Sequence, residues 1–356
     1  MAPPFVRVTV RDMDGYTPGE QPGVGERVVK LNTNENPYPP SPAVLRAIQE
    51  IEPEMLRRYP NPNADIFRKA AAKVLGVTPD MIIAGNGSDD ILTIATRTFL
   101  APGETLAYPD PTYSLYSVLA KLQDARFAEV PWERDFSLPI EGLLAAKPQA
   151  IYIANPNAPT GTFVSPLRIA ELAKSFKGLV LVDEAYVDFA DDNCLSLVRQ
   201  HENLVVSRTF SKAYSLAGLR FGYTVAQPQV VREMMKVKDS YNVDAIAMCA
   251  AAAAIQDQDY ARERWEQIKS ERERVTAELT QVGWTVLPSR ANFILAAAPD
   301  GRGRDAYLGL KAQGILVRYF DRPGLRDKIR ITIGQSQENN ALLGGIRSLS
   351  ATEKAA

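Results

Sequence analysis

Lys212 lies in a loop whose neighbouring residues could support amine chemistry. Residues 208–220 read RTFSKAYSLAGLR and follow an apolar run that predicts a strand. A lysine partly removed from water has a lowered pKa, and its free amine can form an imine with a carbonyl compound. The hydroxyls of Thr209 and Ser211 and the guanidinium of Arg220 could surround a phosphate. A solvated loop with ordinary helix-capping residues would explain the same letters, so Lys212 needs support from other segments.

Two adjacent carboxylates end a second predicted strand in the segment VDEAY, residues 182–186. Asp183 could pair with the ring nitrogen of a pyridine cofactor, because a protonated pyridine is the electron sink that stabilises a substrate carbanion. Either acid could equally cap a helix. The loop NPNAPTG, residues 155–161, follows a further strand. The amide of Asn157 could donate to a phenolic oxygen, although turn chemistry alone explains the prolines and the glycine.

The segment GNGSDD, residues 85–90, joins a predicted strand to a predicted helix. Free backbone N–H groups at a helix N-terminus bind phosphate. Asp90 stands where the dinucleotide fingerprint has glycine, and no Walker-type GK[ST] run occurs, so a monophosphate fits better than NAD or ATP. Within PTYSLY, residues 111–116, Tyr113 could lie flat against a cofactor ring, but a core aromatic is the commoner role of such a tyrosine.

Short apolar runs that alternate with helical patterns must position these loops. Alternating strands and helices indicate an α/β fold with a mostly parallel mixed sheet between helices, and catalytic loops then lie at the carboxyl ends of the strands. The predicted strands of this part are Met81–Ala84, Thr105–Tyr108, Ala150–Ala154, Leu179–Val182, Leu204–Ser207 and Phe221–Val225.

The pattern changes near residue 256, where a long amphipathic helix is predicted. Its apolar residues at helical spacing are Trp265, Ile268, Val275, Leu279 and Val282. Four short runs beyond it predict a smaller α+β domain: Thr285–Leu287, Phe293–Ala297, Ile315–Val317 and Ile329–Ile333. We therefore predict an N-terminal arm over residues 1–30, a large domain over 31–255 and a small C-terminal domain over 256–356.

The composition favours a small-molecule ligand. Of 356 residues, 46% are hydrophobic and 23% are charged, and the formal net charge is −1. This balance favours neither nucleic acid nor an anionic membrane as a partner. Two separated cysteines and one histidine argue against a metal centre built on thiolates or imidazoles. The longest apolar run, Ala245–Ile255, is too short to span a bilayer, and prolines interrupt the start of the chain, so we expect a cytoplasmic protein.

In the order and spacing of these segments, the chain resembles the fold-type I aminotransferases, which depend on pyridoxal 5′-phosphate (PLP). Within that group it is most similar to the histidinol-phosphate aminotransferases, and the similarity extends over nearly the whole chain. Further segments that carry it are LNTNENP at 31–37, RYP at 58–60, YNV at 241–243, LPSRANF at 287–293, GILVR at 314–318 and RITIG at 330–334.

The resemblance implies roles for individual residues. Lys212 would bind the cofactor covalently, Asp183 would pair with its ring nitrogen, and Asn157 and Tyr186 would contact its phenolic oxygen. A tyrosine matching Tyr59 reaches the cofactor phosphate of the neighbouring subunit in the family, which implies a homodimer with shared active sites. The remaining cofactor-binding positions are Gly87, Ser88, Asp89, Tyr113, Thr209, Ser211 and Arg220. The substrate-binding positions are Tyr16, Asn34, Arg318 and Arg330.

The reaction implied by the resemblance is amino transfer between L-histidinol phosphate and 2-oxoglutarate, a step of histidine biosynthesis. An aromatic amino acid aminotransferase or a threonine-phosphate decarboxylase of the same fold would have the same cofactor residues. A non-catalytic PLP-binding regulatory module is a third alternative, but it would lack the lysine or carry an added DNA-binding segment. The implied substrates are small molecules, with no nucleic acid and no membrane.

Overall fold

The computed structural model describes residues 3–23 and 25–355. Residues 1, 2 and 24 of the predicted arm and residue 356 of the predicted small domain lie outside the described residues. The strands are β1 (Val29–Lys30), β2 (Ile82–Gly85), β3 (Thr105–Asp110), β4 (Arg126–Pro131), β5 (Ala150–Ala154), β6 (Leu179–Asp183), β7 (Leu204–Thr209), β8 (Gly222–Val225), β9 (Thr285–Val286), β10 (Phe293–Ala297), β11 (Ile315–Leu316), β12 (Arg318–Tyr319) and β13 (Lys328–Thr332).

Helices occupy most of the chain between the strands. They are α1 (Val8–Arg11), α2 (Pro42–Gln49), α3 (Pro53–Arg57), α4 (Asp65–Leu75), α5 (Ser88–Phe99), α6 (Leu115–Leu122), α7 (Ile140–Ala145), α8 (Pro166–Ser175), α9 (Pro228–Met235), α10 (Ala245–Gln256), α11 (Gln258–Gln281), α12 (Gly303–Ala312) and α13 (Ser336–Ala355). Among the described residues, none of these helices has the length and apolar character that a membrane span requires.

The large sheet has seven strands in the order β2-β8-β7-β6-β5-β3-β4. Of these seven strands, β8 alone runs opposite to the other six, so the predicted α/β fold with a mostly parallel mixed sheet is confirmed. Val180 and Val182 of β6 pack into one hydrophobic layer, and Leu179 and Leu181 pack into the other. Alternating residues of one strand therefore fill cores on both faces of the sheet, as the period of two requires.

Strand β4 was missing from the sequence-based assignment. It lies at the edge of the sheet and pairs only with β3. Its residues are mostly exposed and include Arg126 and Glu129, so it lacks the continuous apolar run by which the inner strands were predicted. An edge strand needs only one partner and one covered face, and polar residues are compatible with it.

The C-terminal region forms a second, antiparallel sheet in the order β12-β13-β10-β9. The strand predicted over Ile315–Val317 is present as β11 (Ile315–Leu316), but it lies outside this sheet. Ile315–Leu316 pairs in parallel with Val29–Lys30 of the N-terminal arm, and the chain joins the second sheet only at Arg318. Backbone pairing between distant segments has no signature in local spacing. The predicted domain limits at residues 30 and 255 remain a prediction.

The amphipathic helix α11 is present as predicted and contributes to the core beneath the second sheet. Trp265, Ile268, Val275 and Leu279 are buried in that core together with strand residues such as Ile329. Helix α10 is different, because it is apolar around most of its circumference and packs against α2 and α4. A helix that is apolar on all sides is buried, which explains the long apolar run of the sequence.

Candidate active site

A cavity of about 560 Å³ opens where β3, β5, β6 and β7 end, and residues of the second sheet and of the N-terminal arm form its other walls. Loops at the carboxyl ends of parallel strands meet at one edge of the sheet, and ligands of such folds bind there. Thirteen of the sixteen site residues expected from the sequence line this cavity: Tyr16, Asn34, Ser88, Asp89, Tyr113, Asp183, Tyr186, Thr209, Ser211, Lys212, Arg220, Arg318 and Arg330.

The Lys212 amine is poised for nucleophilic chemistry. Its Nζ donates a hydrogen bond to the carbonyl oxygen of Thr33 at 2.9 Å. Burial, and after it the positive charge of Arg330, lowers the pKa of Lys212 to about 8. Glu35 opposes this shift through its negative charge. A larger fraction of the amine is therefore unprotonated near neutral pH than for an exposed lysine, and only the unprotonated form attacks a carbonyl carbon.

Asp183 ends β6 at the floor of the cavity and is 4% exposed. Its Oδ2 accepts a hydrogen bond from the Tyr116 hydroxyl at 3.0 Å, whereas Oδ1 is buried and has no hydrogen-bond partner among the described residues. Burial raises the pKa of Asp183 to about 7. A buried oxygen without a partner is costly, so this carboxylate is suited to a cationic or N–H donor supplied by a ligand.

The predicted phosphate site is assembled from three loops. Gly87 caps helix α5 at φ 88°, and a Cβ placed there would come within 2.6 Å of Arg220 Nη2, so only glycine fits without a shift of the arginine. Arg220 donates to Ser211 Oγ and to Asp89 Oδ2, both at 3.3 Å. Thr209 Oγ1 and Ser211 Oγ lie 3.0 Å apart. Hydroxyls, a guanidinium and a helix N-terminus thus converge, as phosphate binding requires.

Asn157 does not line the cavity. Its Oδ1 accepts from Thr112 Oγ1 at 2.7 Å, and its Nδ2 donates to the carbonyl oxygen of Pro111 at 2.9 Å and to Thr160 Oγ1 at 2.8 Å. The Asn157 amide thus connects its own loop to residues 111 and 112, which precede Tyr113. Its expected contact with the phenolic oxygen of the cofactor remains a prediction. Tyr186 does line the cavity, and its hydroxyl accepts from Asn34 Nδ2 at 3.0 Å.

Two arginines form the wall opposite the sheet. Arg330 Nη2 donates to the carbonyl oxygen of Asn32 at 2.8 Å, and its Nε is buried with no partner in the described part of the chain. Arg318 donates to the carbonyl oxygens of Thr17 and Pro18, which belong to the N-terminal arm. The remaining guanidinium N–H groups are free to bind the anionic end of a ligand.

Tyr16 and Tyr59 have contrasting positions. Tyr16 approaches Tyr113 edge-on at a centroid distance of 5.7 Å and thereby brings the arm over the cavity. Tyr59 lies outside the cavity of its own chain, is 82% exposed and stacks on Tyr241 at 4.4 Å. Exposed, stacked aromatic rings are typical of a surface that a partner covers.

The sequence analysis missed several residues of the site. Tyr116 binds Asp183, and its position three residues after Tyr113 was quoted only as part of a segment. Phe320 and Arg322 line the cavity from a loop that carries no motif. Spacing could not find them, because they reach the site through tertiary contacts between distant parts of the chain.

Comparison with known proteins identifies relatives of this chain by sequence and by fold. The sequence profile of the family described as aminotransferase class I and II matches residues 26–346. The chain belongs to the aminotransferase class I and II family. It is 48% identical over 345 residues to histidinol-phosphate aminotransferase 1 of Trichormus variabilis, covering 97% of this chain and 99% of the relative. It is 45% identical to the histidinol-phosphate aminotransferase of Rhodopirellula baltica, covering 95% and 93%.

A solved structure gives the same result. The histidinol-phosphate aminotransferase of Sinorhizobium meliloti, determined in complex with pyridoxal-5′-phosphate, superimposes with a TM-score of 0.88 at 27% identity, covering 98% of this chain and 99% of that chain. An aspartate aminotransferase of Thermus thermophilus is 19% identical with a TM-score of 0.77 and shares the fold. The fold-type I aminotransferase architecture expected from the sequence is thereby confirmed.

Proposed function

We propose that this chain is a PLP-dependent aminotransferase that interconverts L-histidinol phosphate and 2-oxoglutarate with imidazole-acetol phosphate and L-glutamate, a step of histidine biosynthesis. The observation that carries this proposal is a single cavity lined by a lysine of lowered pKa, a buried carboxylate with an unpartnered oxygen, and two arginines. Relatives 41–48% identical over 95–97% of the chain, all named histidinol-phosphate aminotransferases, support the same substrate.

The residues present fit PLP. The cofactor has an aldehyde, a pyridine nitrogen and a phosphate monoester, and each group has a chemical counterpart in the cavity. Lys212 supplies the amine for the aldehyde, and the free Oδ1 of Asp183 supplies an acceptor for the pyridine N–H. The N-terminus of α5 together with Ser211 and Arg220 supplies donors for the phosphate. Tyr113 supplies an aromatic wall.

When bound, PLP supplies the electron sink that lowers the energy of a substrate carbanion. The chain supplies proton transfer and orientation. Lys212 would be the base that takes a proton from the substrate Cα, a role that its lowered pKa suits. Opposite a protonated pyridine nitrogen, Asp183 would hold a negative charge at the cavity floor, and Tyr116 fixes the orientation of that carboxylate through Oδ2.

Arg318 and Arg330 bind the end of the substrate that does not react. Histidinol phosphate carries a phosphate and glutamate carries carboxylates, so both donors present an anionic group to these arginines. A guanidinium offers paired, charge-assisted hydrogen bonds to either group. The arm residues that bind Arg318 by their carbonyl oxygens also cover this end of the cavity.

The active form is proposed to be a homodimer. Tyr59 does not line the cavity of its own chain, and it is exposed and stacked on a second exposed tyrosine, Tyr241. A second copy of the chain placed against this face would receive Tyr59 at its own phosphate site. The cytoplasmic location expected from the sequence remains a prediction.

A spectroscopic titration tests the substrate. The purified protein with PLP should have a visible absorption band that L-histidinol phosphate bleaches, and 2-oxoglutarate should restore it. L-phenylalanine, L-tyrosine and L-threonine phosphate are the comparison donors, with carbon dioxide release monitored for the last. Faster bleaching by an aromatic amino acid than by histidinol phosphate would contradict the proposed substrate, and release of carbon dioxide would indicate the decarboxylase.

A further inference from the structure

Phe320 contacts both arginines of the proposed anion site. The guanidinium carbons of Arg318 and Arg330 each lie 5.6 Å from the centroid of the Phe320 ring. Arg330 also lies 5.3 Å from the ring of Phe293. Phe320 is half-buried and lines the cavity, so its ring is part of the surface that a substrate meets.

This contact matters because the two arginines carry like charges in one cavity. Both arginines donate hydrogen bonds to backbone carbonyl oxygens, which offset the charge less than a carboxylate would. The face of an aromatic ring is electron-rich and attracts a cation within about 6 Å. The Phe320 ring therefore stabilises two guanidiniums close together while leaving their N–H edges for an anion.

An ion pair connects the Phe320 loop to the opposite wall of the cavity. Arg322, two residues after Phe320, binds Asp110 Oδ2 through Nη2 at 2.8 Å. Asp110 is the last residue of β3 in the large sheet, and Leu325, further along the same loop, is buried. The position of the Phe320 ring is thus fixed from the large sheet as well as from strand β12, which ends at the preceding residue, Tyr319.

We propose that Phe320, held by the Arg322–Asp110 ion pair, is a specificity-determining residue that arranges Arg318 and Arg330 for a phosphate end group. The inference rests on the proposed function. It concerns how the site distinguishes the phosphate of histidinol phosphate from the carboxylate of glutamate. A phosphate monoester carries up to two negative charges and three acceptor oxygens near neutral pH, whereas a carboxylate carries one charge and two oxygens. Two arginines held side by side therefore favour the phosphate more than the carboxylate.

Phe320→Leu tests the ring itself, because leucine keeps an apolar side chain and removes the π face. The rate of bleaching is measured with L-histidinol phosphate and with L-histidinol, which lacks the phosphate. We expect kcat/KM for histidinol phosphate to fall about fivefold to tenfold, the ratio expected from losing two cation–π contacts, with histidinol nearly unchanged. Phe320→Tyr should restore the wild-type ratio because it restores the ring.

Direct binding gives a second readout. Histidinol phosphate is titrated by calorimetry into the PLP-loaded Lys212→Ala variant with and without Phe320→Leu, and Kd should rise by a similar factor. A wild-type enzyme that does not distinguish histidinol phosphate from histidinol would contradict the proposed function. A wild-type preference that Phe320→Leu leaves intact would overturn the role of Phe320 alone.

The ion pair is tested by a double-mutant cycle. If Arg322 only fixes the loop, Asp110→Asn, Arg322→Gln and the double variant should reduce kcat/KM for histidinol phosphate to a similar extent. If Arg322 itself bound the phosphate, Asp110→Asn would free its charge and strengthen binding, which would overturn the positioning role. Arg326→Gln is the matched control, because Arg326 pairs with Asp321 in the same loop and both are exposed; it should behave as the wild type.

Discussion

The Tyr116 hydroxyl donates a 3.0 Å hydrogen bond to Asp183 Oδ2, while Asp183 Oδ1 is buried with no partner among the described residues. One oxygen of the carboxylate is thus fixed by the protein and the other is left for a ligand. Without a ligand this arrangement is unfavourable for the charged form, which agrees with the raised pKa of about 7.

Asp183→Asn should change the pH dependence of stability of the protein without PLP. The folded pKa of about 7 exceeds the usual 3.8, so the contribution of Asp183 to stability is full below about pH 3.8 and is lost as the pH rises to about 7. The asparagine variant has no carboxyl group to titrate at this position. Its free energy of unfolding should therefore rise relative to that of the wild type as the pH rises. Urea denaturation of both proteins at pH 5, 6 and 8 checks this.

The same substitution should lower turnover far more than it lowers PLP affinity. An amide cannot stabilise the charged pyridine nitrogen on which the electron sink depends. Single-turnover kinetics with saturating PLP measure turnover, and fluorescence titration measures the affinity for PLP. Turnover close to that of the wild type would show that another group pairs with the ring nitrogen.

Lys212→Ala should abolish transamination and covalent attachment of PLP, while noncovalent binding persists because Ser211 and Arg220, the residues proposed to bind the phosphate, remain. Borohydride reduction followed by peptide mass spectrometry locates the attachment. Lys236 is a suitable control, because it is exposed and pairs with Glu233 on the surface. A reduced adduct on any lysine other than Lys212 would refute the assignment.

Glu184 and Arg208 form a buried ion pair behind the cavity. Arg208 Nε and Nη2 donate to Glu184 Oε2 at 2.9 and 2.7 Å, and the Glu184 and Arg208 side chains are 0% and 10% exposed. Glu184→Gln should lower the free energy of unfolding by about 3–5 kcal/mol, since it leaves a buried charge unpaired. Replacing both residues by methionine should recover most of this loss. Urea denaturation provides the measurement, and an unstable double variant would argue against the charge as the cause.

Arg330→Lys should reduce kcat/KM for histidinol phosphate by the equivalent of about 2 kcal/mol, because an ammonium cannot reproduce the paired hydrogen bonds of a guanidinium. Histidinol should be affected much less, since it lacks the phosphate. Steady-state kinetics with both donors decide the question. Equal impairment with both would show that Arg330 does not bind the phosphate.

Tyr59 should act across a subunit boundary. Mixed dimers of Tyr59→Phe and Lys212→Ala chains should recover activity in one of their two sites, provided that each single variant is inactive and that the subunits exchange. Mass spectrometry of differently tagged chains verifies the exchange. Mixed dimers without activity would count against a shared site.

The sequence alone predicted which loops would form the site. Lys212, Asp183 and the GNGSDD segment each follow a continuous apolar run, and such runs predict inner strands because both faces of a parallel sheet are buried. Since those strands run in one direction, their carboxyl ends meet at one edge. The loops that carry Lys212 and Asp183 were therefore expected together before any contact was known.

Only the tertiary structure decided the pKa shifts of these groups and the residues that surround them. The lowered pKa of Lys212 and the raised pKa of Asp183 depend on burial, which spacing does not measure. The pairing of β1 with β11 and the Arg322–Asp110 ion pair join residues 286 and 212 positions apart. Interactions of this kind depend on distance in space, and local periodicity in the sequence records only distance along the chain.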